Sequence, residues 1–169
     1  MRWTPAKSEP FEFVIMNSVA SKTRALIEAR EPGKDIEKDF RMHVPHEGGS
    51  KIYTIEVKMD CKSMLTGNLF LECHNSRSNT PSGLTATKAD FWAHWSLKTQ
   101  TVFVYSPVAM LAYLRARQPK HPERRGVGDN NSDGYLVPIA ALKGEAKFIS
   151  ERPCRIDECF FEHYLKQPA

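Results

Sequence analysis

The chain of 169 residues is predicted to form one mixed α/β domain, in which helices cover both faces of a small mixed β-sheet. The length supports a single domain, because a chain of this size can bury its own core. Hydrophobic spacing supports the class: apolar residues alternate with polar ones in some segments and recur every three or four residues in others. The predicted order is α-β-β-β-α-β, followed by a terminal helix.

The first helix is predicted over residues 11–30 and ends before Pro32-Gly33. Its apolar stripe comprises Ile15, Val19, Leu26 and Ile27. A short alternating strand is predicted from Asp39 to Val44, and the glycine-containing residues 46–50 predict a turn. This strand is expected to precede a hairpin.

The hairpin is predicted from the strands Lys51–Asp60 and Asn68–His74, joined through Thr66-Gly67. Successive side chains of a strand point to opposite faces. One face of the first strand therefore carries Glu56, Lys58 and Asp60, and the other carries Ile55, Val57 and Met59. In the second strand Asn68, Phe70, Glu72 and His74 alternate with Leu69, Leu71 and Cys73.

Across this hairpin we expect Asp60 to lie opposite Glu72, and Lys58 opposite His74. Two like charges paired in this way destabilise a sheet by up to about 1 kcal/mol, so a compensating cation is expected. Magnesium is a natural candidate, because it takes one or two carboxylates and completes its shell with water and phosphate oxygens. The alternative is a polar face that is simply solvated.

Beyond the hairpin, a short second helix is predicted from Thr85, with Ala89, Trp92 and Ala93 on its apolar side and both nearby tryptophans in the core. His94 is then a residue of the helix face. A strand is predicted at Thr101–Tyr105, followed by a helix that Ser106-Pro107 opens. The apolar stripe of that helix is Val108, Leu111 and Leu114, and the remaining predicted elements are a strand at 135–139 and a helix at 156–165.

Composition narrows the class of protein. The net charge of +4 and the pI near 8.9 permit a polyanionic partner without requiring one. Because no apolar run approaches eighteen residues and no charged-then-apolar leader is present, we expect a soluble, intracellular protein without a membrane partner. The cysteines lack a CxxC pair and are expected to be reduced: Cys61, Cys73, Cys154 and Cys159.

A basic cluster follows the third predicted helix and is expected to form an exposed loop, because Pro119 and Pro122 interrupt it. Its members are Arg115, Arg117, Lys120, His121, Arg124 and Arg125. Charge alone leaves phosphate binding and a solvated loop equally open.

With Asp60 in one strand, Glu72 in the next and acids on an upstream helix, the chain resembles the PD-(D/E)xK nuclease superfamily, which includes Holliday-junction resolvases and restriction-type endonucleases. The likeness spans about residues 10–140. It implies a restriction-endonuclease-like core and an endonuclease that hydrolyses DNA with Mg²⁺ or Mn²⁺, with Asp60 and Glu72 as metal ligands. Many nucleases of this fold act as dimers, so it also suggests a homodimer. Three segments are similar to phage-type members: Thr66-Gly67-Asn68, Pro81-Ser82-Gly83 and Thr87-Lys88-Ala89-Asp90.

The chain departs from the family pattern at several positions. Met59 stands where the family usually has proline, and His74 stands where it has the lysine of the ExK element. A lysine is positively charged at neutral pH, whereas an imidazole carries its charge only part of the time. Lys58 or Lys88 could supply the missing charge. The helical acid is Glu12, Glu28 or Glu31, with Glu28 preferred, and the cations expected to contact DNA are Arg115, Arg117, Lys120, Arg124, Arg125 and Lys88.

A second register within the same family takes Glu56-Val57-Lys58 as the ExK element, with Asp39 or Asp35 as the upstream acid. It keeps the lysine but leaves Glu72 unexplained, and the sequence favours the Asp60/Glu72 register. The spacing of Cys154, Cys159 and His163 fits no common zinc site. The segment 129–134 resembles the start of an EF-hand loop but lacks the glutamate at the twelfth position, which is Ala140.

Three functions are therefore consistent with the sequence. The first is a magnesium-dependent DNA endonuclease acting on branched or broken duplexes in a bacterium or a phage-infected host. The second is a nuclease-fold protein that has lost catalysis and binds nucleic acid or protein, which the replacement of lysine by His74 makes reasonable. The third is an interaction domain whose acids face water.

Overall fold

The computed structural model describes residues 15–16, 26–29, 40–60, 62–117, 124–127, 131–145 and 150–153. The strands within these ranges are β1 (Leu26–Ala29), β2 (Phe40–His46), β3 (Gly49–Asp60), β4 (Asn68–Asn75), β5 (Thr80–Pro81), β6 (Phe91–Ser96), β7 (Thr101–Tyr105), β8 (Arg124–Val127), β9 (Ser132–Pro138) and β10 (Ser150–Pro153). The helices are α1 (Ser63–Thr66), α2 (Pro107–Arg117) and α3 (Ile139–Glu145), with a short 3-10 helix at Gly83–Thr85.

The strands form two sheets. The larger has six strands in the order β1-β2-β3-β6-β7-β10, and the smaller has four in the order β5-β4-β9-β8. In the larger sheet β3 and β6 are parallel, whereas every other neighbouring pair is antiparallel. The mixed α/β class is thus confirmed, but strands predominate and two sheets replace the single small one that the sequence predicted.

Two hydrophobic cores cover opposite faces of the larger sheet. One contains Ile55, Val57, Ala93, Trp95 and Val102, packed with the helical residues Ile15 and Met16. The other lies between the sheets and brings Trp92, Phe103 and Tyr105 against Leu69, Leu71 and Val137, with α2 and α3 contributing Met110, Leu114 and Leu142. Both faces of β6 are therefore covered, which accounts for the apolar residues on both of its sides.

Several predicted elements are confirmed. The strand predicted from Asp39 is β2, and it pairs with β3 so that Phe40 lies opposite Ile55 across a turn at Glu47-Gly48. Gly48 has a φ of 90°, a conformation that glycine adopts without strain. The strands β4 and β7 and the start of α2 at Pro107 also match the prediction.

The prediction that β3 and β4 form a hairpin is wrong, because the two strands belong to different sheets. Helix α1 separates them and ends at Gly67, which has a φ of 70° and turns the chain toward the second sheet. There β4 pairs with β9, and Gly134 lies so close that a Cβ on it would clash with the carbonyl oxygen of Leu71.

Two predicted helices are also wrong in part. Residues 26–29, at the end of the predicted first helix, form β1, which pairs with β2. The predicted helix after Thr85 is instead the strand β6, whose aromatic residues favour extended structure once both faces are buried.

Three further predictions need adjustment. In α2 the buried residues are Pro107, Met110 and Leu114, whereas Val108 is exposed. The strand predicted to include Ile139 ends at Pro138, and Ile139 begins α3. The predicted helix at 156–165 lies outside the described residues. None of the helices that the structure describes is both long and apolar enough to cross a membrane.

Candidate functional site

A polar row runs along one face of β3. Glu56, Lys58 and Asp60 share this face, as predicted, while Ile55 and Val57 are buried on the other. The parallel pairing of β3 with β6 places Glu56 beside Trp92, Lys58 beside His94 and Asp60 beside Ser96. The row thus lies on the side of the sheet that the second core covers, with Asp60 buried and Lys58 partly exposed to solvent.

The outer part of the row is an ion pair. Lys58 Nζ lies 2.5 Å from Glu56 Oε1, and the hydroxyl of Thr87 donates to Glu56 Oε2 at 2.7 Å. The Lys58 ammonium also lies 5.5 Å from the centre of the Trp92 ring. The Lys58 side chain is 39 % exposed and that of Glu56 14 %. Solvent therefore screens the pair, which adds little stability, but it leaves the cation accessible.

The segment before β6 is fixed against β3 next to this pair. The Asp90 carboxylate accepts hydrogen bonds from the backbone N–H and the hydroxyl of Thr54, each at 2.8 Å. Thr87 lies three residues earlier, and its hydroxyl also accepts the backbone N–H of Ala89 at 3.1 Å. The exposed Lys88 follows Thr87 in sequence.

The inner part of the row is Asp60, which is 8 % exposed. Its Oδ1 accepts the backbone N–H of Ser63 at 2.9 Å, and its Oδ2 accepts that of Phe70 at 2.7 Å. Burial raises the pKa of Asp60, and these backbone donors partly oppose the shift. The carboxylate therefore joins the end of β3 to both α1 and β4.

His94 lies between Asp60 and Tyr105. Its Nδ1 is 3.1 Å from the Tyr105 hydroxyl, and its Nε2 is 4.0 Å from Asp60 Oδ2. Burial lowers the pKa of His94 to about 3, helped by the nearby positive charge of Lys58, while burial raises the pKa of Tyr105 well above its ordinary value. His94 is thus a neutral, buried strand residue and not the helix-face residue that the sequence predicted.

Asp60 and Glu72 do not face each other across a ladder, as the favoured register required. Asp60 pairs with Ser96 in the larger sheet, whereas Glu72 pairs with Gly134 in the smaller one. Glu72 also follows Leu71, which is buried in the core between the sheets, so its side chain leaves β4 on the other face. Within the described residues, no group of three His, Cys, Asp or Glu side chains is arranged to hold a metal ion.

His74 likewise lies away from Lys58. It pairs with Asp133 beside an irregularity in β4, and its Nδ1 is 3.7 Å from Asp133 Oδ2. The intervening Cys73 is a free thiol, as predicted, and burial together with the charge of Glu72 raises its pKa to about 11. The other three cysteines lie outside the described residues, as does His163.

The predicted DNA-contacting cations lie on several different segments of the chain. Arg115 and Arg117 lie in the last turn of α2, with the Arg117 guanidinium 5.2 Å from the centre of the Tyr113 ring. Arg124 and Arg125 begin strand β8 and so are not part of a loop, which corrects the sequence prediction. Lys120 lies outside the described residues.

Of the acidic residues that the sequence offered upstream of the two registers, only Glu28 lies within the described residues. Glu28 lies in β1, a strand instead of the predicted helix, and its backbone pairs with Arg41. Outside the described residues lie Glu12, Glu31, Asp35 and Asp39. Of the EF-hand-like segment, residues 132–134 begin β9, an extended conformation that an ion-binding loop would not adopt.

The chain matches no protein-family model, no curated protein and no solved structure. Any functional assignment therefore depends on the residues themselves. Sequence reasoning missed the contact between His94 and Tyr105, because it depends on β6 being a strand. The two-residue spacing of the polar residues His94 and Ser96 is the signal that could have indicated an extended segment.

Proposed function

We propose that this protein is a metal-dependent endonuclease that hydrolyses DNA phosphodiester bonds, with Glu56 and Lys58 as its reactive pair. The observation that carries the proposal is their ion pair, which lies on one face of a strand and is partly open to solvent. The proposal uses the Glu56-Val57-Lys58 register of the PD-(D/E)xK resemblance. That register retains the lysine that the Asp60/Glu72 register lacked.

Glu56 suits a metal ligand better than Asp60 does. The partners of Glu56 are the side chains of Lys58 and Thr87, which can rotate away when an ion or a phosphate arrives. Both oxygens of Asp60 instead accept backbone N–H groups, which are fixed by the fold. Asp60 also lies four residues along the strand from Glu56, a separation of about 13 Å, so the two do not share one ion directly.

Magnesium needs only one or two protein carboxylates, because water and substrate phosphate complete its shell. Glu56 supplies one. For the second ligand the sequence offers Asp39 and Asp35, which lie outside the described residues. Asp39 directly precedes Phe40, and Phe40 pairs with Ile55, the residue before Glu56. This adjacency makes Asp39 the first choice to test.

Each residue of the pair has a role that follows from its position. Bound magnesium would supply a water of lowered pKa and neutralise phosphate charge. Lys58 would donate hydrogen bonds to a non-bridging phosphate oxygen, whose negative charge grows as water attacks phosphorus. Thr87 would hold one carboxylate oxygen of Glu56 in place, and the exposed Lys88 would contact a neighbouring phosphate.

The test is cleavage of plasmid, single-stranded and branched DNA in Mg²⁺ or Mn²⁺. Glu56→Gln and Lys58→Met should abolish cleavage while preserving the fold, because both side chains are partly exposed. Asp39→Asn and Asp35→Asn identify the upstream acid. Glu72→Gln is the matched control, and it should cleave as the wild type does. Loss of cleavage in the control, with Glu56→Gln still active, would return the site to the first register.

A second candidate is a nuclease-fold protein that binds nucleic acid without cleaving it. The observation in its favour is that all four carboxylate oxygens of Glu56 and Asp60 already have partners within the chain. DNA binding that is unchanged by chelator, with no cleavage by the wild-type protein in either metal, would establish this candidate.

A further inference from the structure

Segment 84–90 leads from the smaller sheet to the start of β6 in the larger one. Two of its residues, Leu84 and Ala89, are buried in the core between the sheets. Just before the segment, Gly83 lies so close to β4 that a Cβ on it would clash with the carbonyl oxygen of Glu72. The beginning of the segment is therefore anchored on β4.

The other end of the segment is fastened to β3 by Asp90. One oxygen of the Asp90 carboxylate, Oδ2, accepts both the backbone N–H and the hydroxyl of Thr54, each at 2.8 Å. The Thr54 hydroxyl oxygen in turn accepts the backbone N–H of Asp90 at 3.0 Å. These three hydrogen bonds are here called the Thr54–Asp90 clamp. Because Thr54 shares a face of β3 with Glu56, the clamp fixes the segment about 7 Å along the strand from that carboxylate.

Thr87 lies between the two anchors and is held through its backbone and its side chain. Its backbone N–H donates to the carbonyl oxygen of Gly83 at 2.9 Å, and its hydroxyl oxygen accepts the backbone N–H of Ala89 at 3.1 Å. A hydroxyl has one proton to donate, and that of Thr87 goes to Glu56 Oε2 at 2.7 Å. The other oxygen, Oε1, is paired with Lys58. The carboxylate is therefore held in one orientation, with Oε1 as the oxygen that a cation could take up in exchange for Lys58.

We propose that Asp90 is a positioning residue for Glu56: by clamping segment 84–90 to Thr54, it holds Thr87 on Glu56 Oε2 and leaves Oε1 for a divalent cation. This inference rests on the proposed function, in which Glu56 is a metal ligand. Side chains that orient a ligand from outside the coordination shell change metal affinity about ten- to hundredfold when they are removed. The hydrogen bonds of the clamp are exposed, so water can replace them, and removing the clamp should weaken binding without unfolding the protein.

Binding of Mn²⁺ in the absence of DNA, followed by the electron paramagnetic resonance signal of the free ion, tests this role. Asp90→Ala and Thr87→Val should each weaken Mn²⁺ binding about tenfold. Asp90→Asn and Thr87→Ser should bind nearly as the wild type does, because asparagine keeps an oxygen that can accept from Thr54 and serine keeps the hydroxyl. Thr66→Val is the matched control and should leave the affinity unchanged, because the Thr66 hydroxyl is also hydrogen-bonded but lies on α1.

A second measurement needs neither metal nor DNA. It is the hydrogen exchange of the Ala89 backbone N–H, which donates to Thr87. Asp90→Ala and Thr87→Val should speed this exchange, whereas Asp90→Asn and Thr87→Ser should not. Unchanged exchange in Asp90→Ala would overturn the clamp, and faster exchange with unchanged Mn²⁺ affinity would overturn the positioning role. Circular dichroism establishes that the variants are folded.

The outcomes separate this inference from the proposed function. If Asp90→Asn binds Mn²⁺ as weakly as Asp90→Ala does, the charge of Asp90 matters instead of its hydrogen bonds, and the positioning role is overturned. If Glu56→Gln abolishes binding while Asp90→Ala and Thr87→Val bind as the wild type does, the inference fails and the proposed ligand stands. Mn²⁺ binding that is unchanged in Glu56→Gln, or absent in the wild type, would overturn the proposed ligand and with it the positioning role, even where the exchange of Ala89 confirms the clamp.

Discussion

Replacing Asp60 with alanine should destabilise the fold, because two backbone donors, one buried and one partly buried, lose their acceptor. The N–H groups of Ser63 and Phe70 both bond this carboxylate. Each unsatisfied buried donor costs about 1–3 kcal/mol. The change also removes the cost of burying the carboxylate, which the raised pKa of Asp60 reflects. We therefore expect the free energy of unfolding to fall by about 2–3 kcal/mol, in the lower half of the summed range.

Urea denaturation followed by circular dichroism measures this loss, and Asp90→Ala is the matched control. The Asp90 carboxylate also accepts two hydrogen bonds, both from Thr54, but Asp90 is exposed, so water can replace the lost acceptor. The control should lose less than about 1 kcal/mol. If both variants lose a similar free energy of unfolding, the reasoning is refuted, because burial of the carboxylate would then not determine the cost of removing it.

The pH dependence of the same variant provides an independent check. Burial raises the pKa of Asp60 above its ordinary value of 3.8, so the folded protein binds this proton more tightly than the unfolded chain does. The stability that Asp60 contributes is therefore largest below pH 3.8 and falls as the pH rises through the raised pKa. The difference between the wild type and Asp60→Ala should narrow over that window. A difference that widens with pH would contradict a raised pKa.

Three further predictions concern buried groups. Burial lowers the pKa of His94 to about 3, so its ring proton resonances should not titrate near pH 6.5 in NMR spectra. The stability that His94 contributes should fall as the pH drops from 6.5 toward 3, because the unfolded chain binds the proton first. A titration midpoint near 6.5 would contradict this. Gly134→Ala should lower the free energy of unfolding in urea by about 1–3 kcal/mol, because its Cβ would meet the carbonyl oxygen of Leu71. With a pKa of about 11, Cys73 should react with iodoacetamide far more slowly in the folded protein than in urea, as peptide mass spectrometry would show.

The elements that the sequence predicted well are those that local spacing determines. Alternation along β2, β3 and β4 gave the strands and the face that Glu56, Lys58 and Asp60 share. The Ser106-Pro107 pair located the start of α2, because proline suits the first helical position. None of these features depends on a distant partner.

The pairing of strands depends on distant partners and could not be predicted in the same way. β3 pairs with β6, about thirty residues away, and not with β4, which follows it after one short helix. β6 is buried on both faces, with Trp92 in one core and Trp95 in the other, so its apolar residues follow neither a helical nor a strand period cleanly. The prediction of a helix there, and of an Asp60/Glu72 pair, failed for this reason.

The inner end of the polar row is buried, and its side chains have hydrogen-bond partners within the fold. Buried polar groups cost stability unless they are fully satisfied, and apolar residues of similar size often serve a core equally well or better. Asp60, His94 and Tyr105 are nevertheless buried, whereas the Glu56–Lys58 pair is more exposed. Lys58 and His94 are direct neighbours in the ladder. Because its pKa is lowered, the His94 imidazole is neutral and adds no positive charge beside the Lys58 ammonium. The proposed phosphate contact would rest on the Lys58 ammonium, which a charged imidazole beside it would repel.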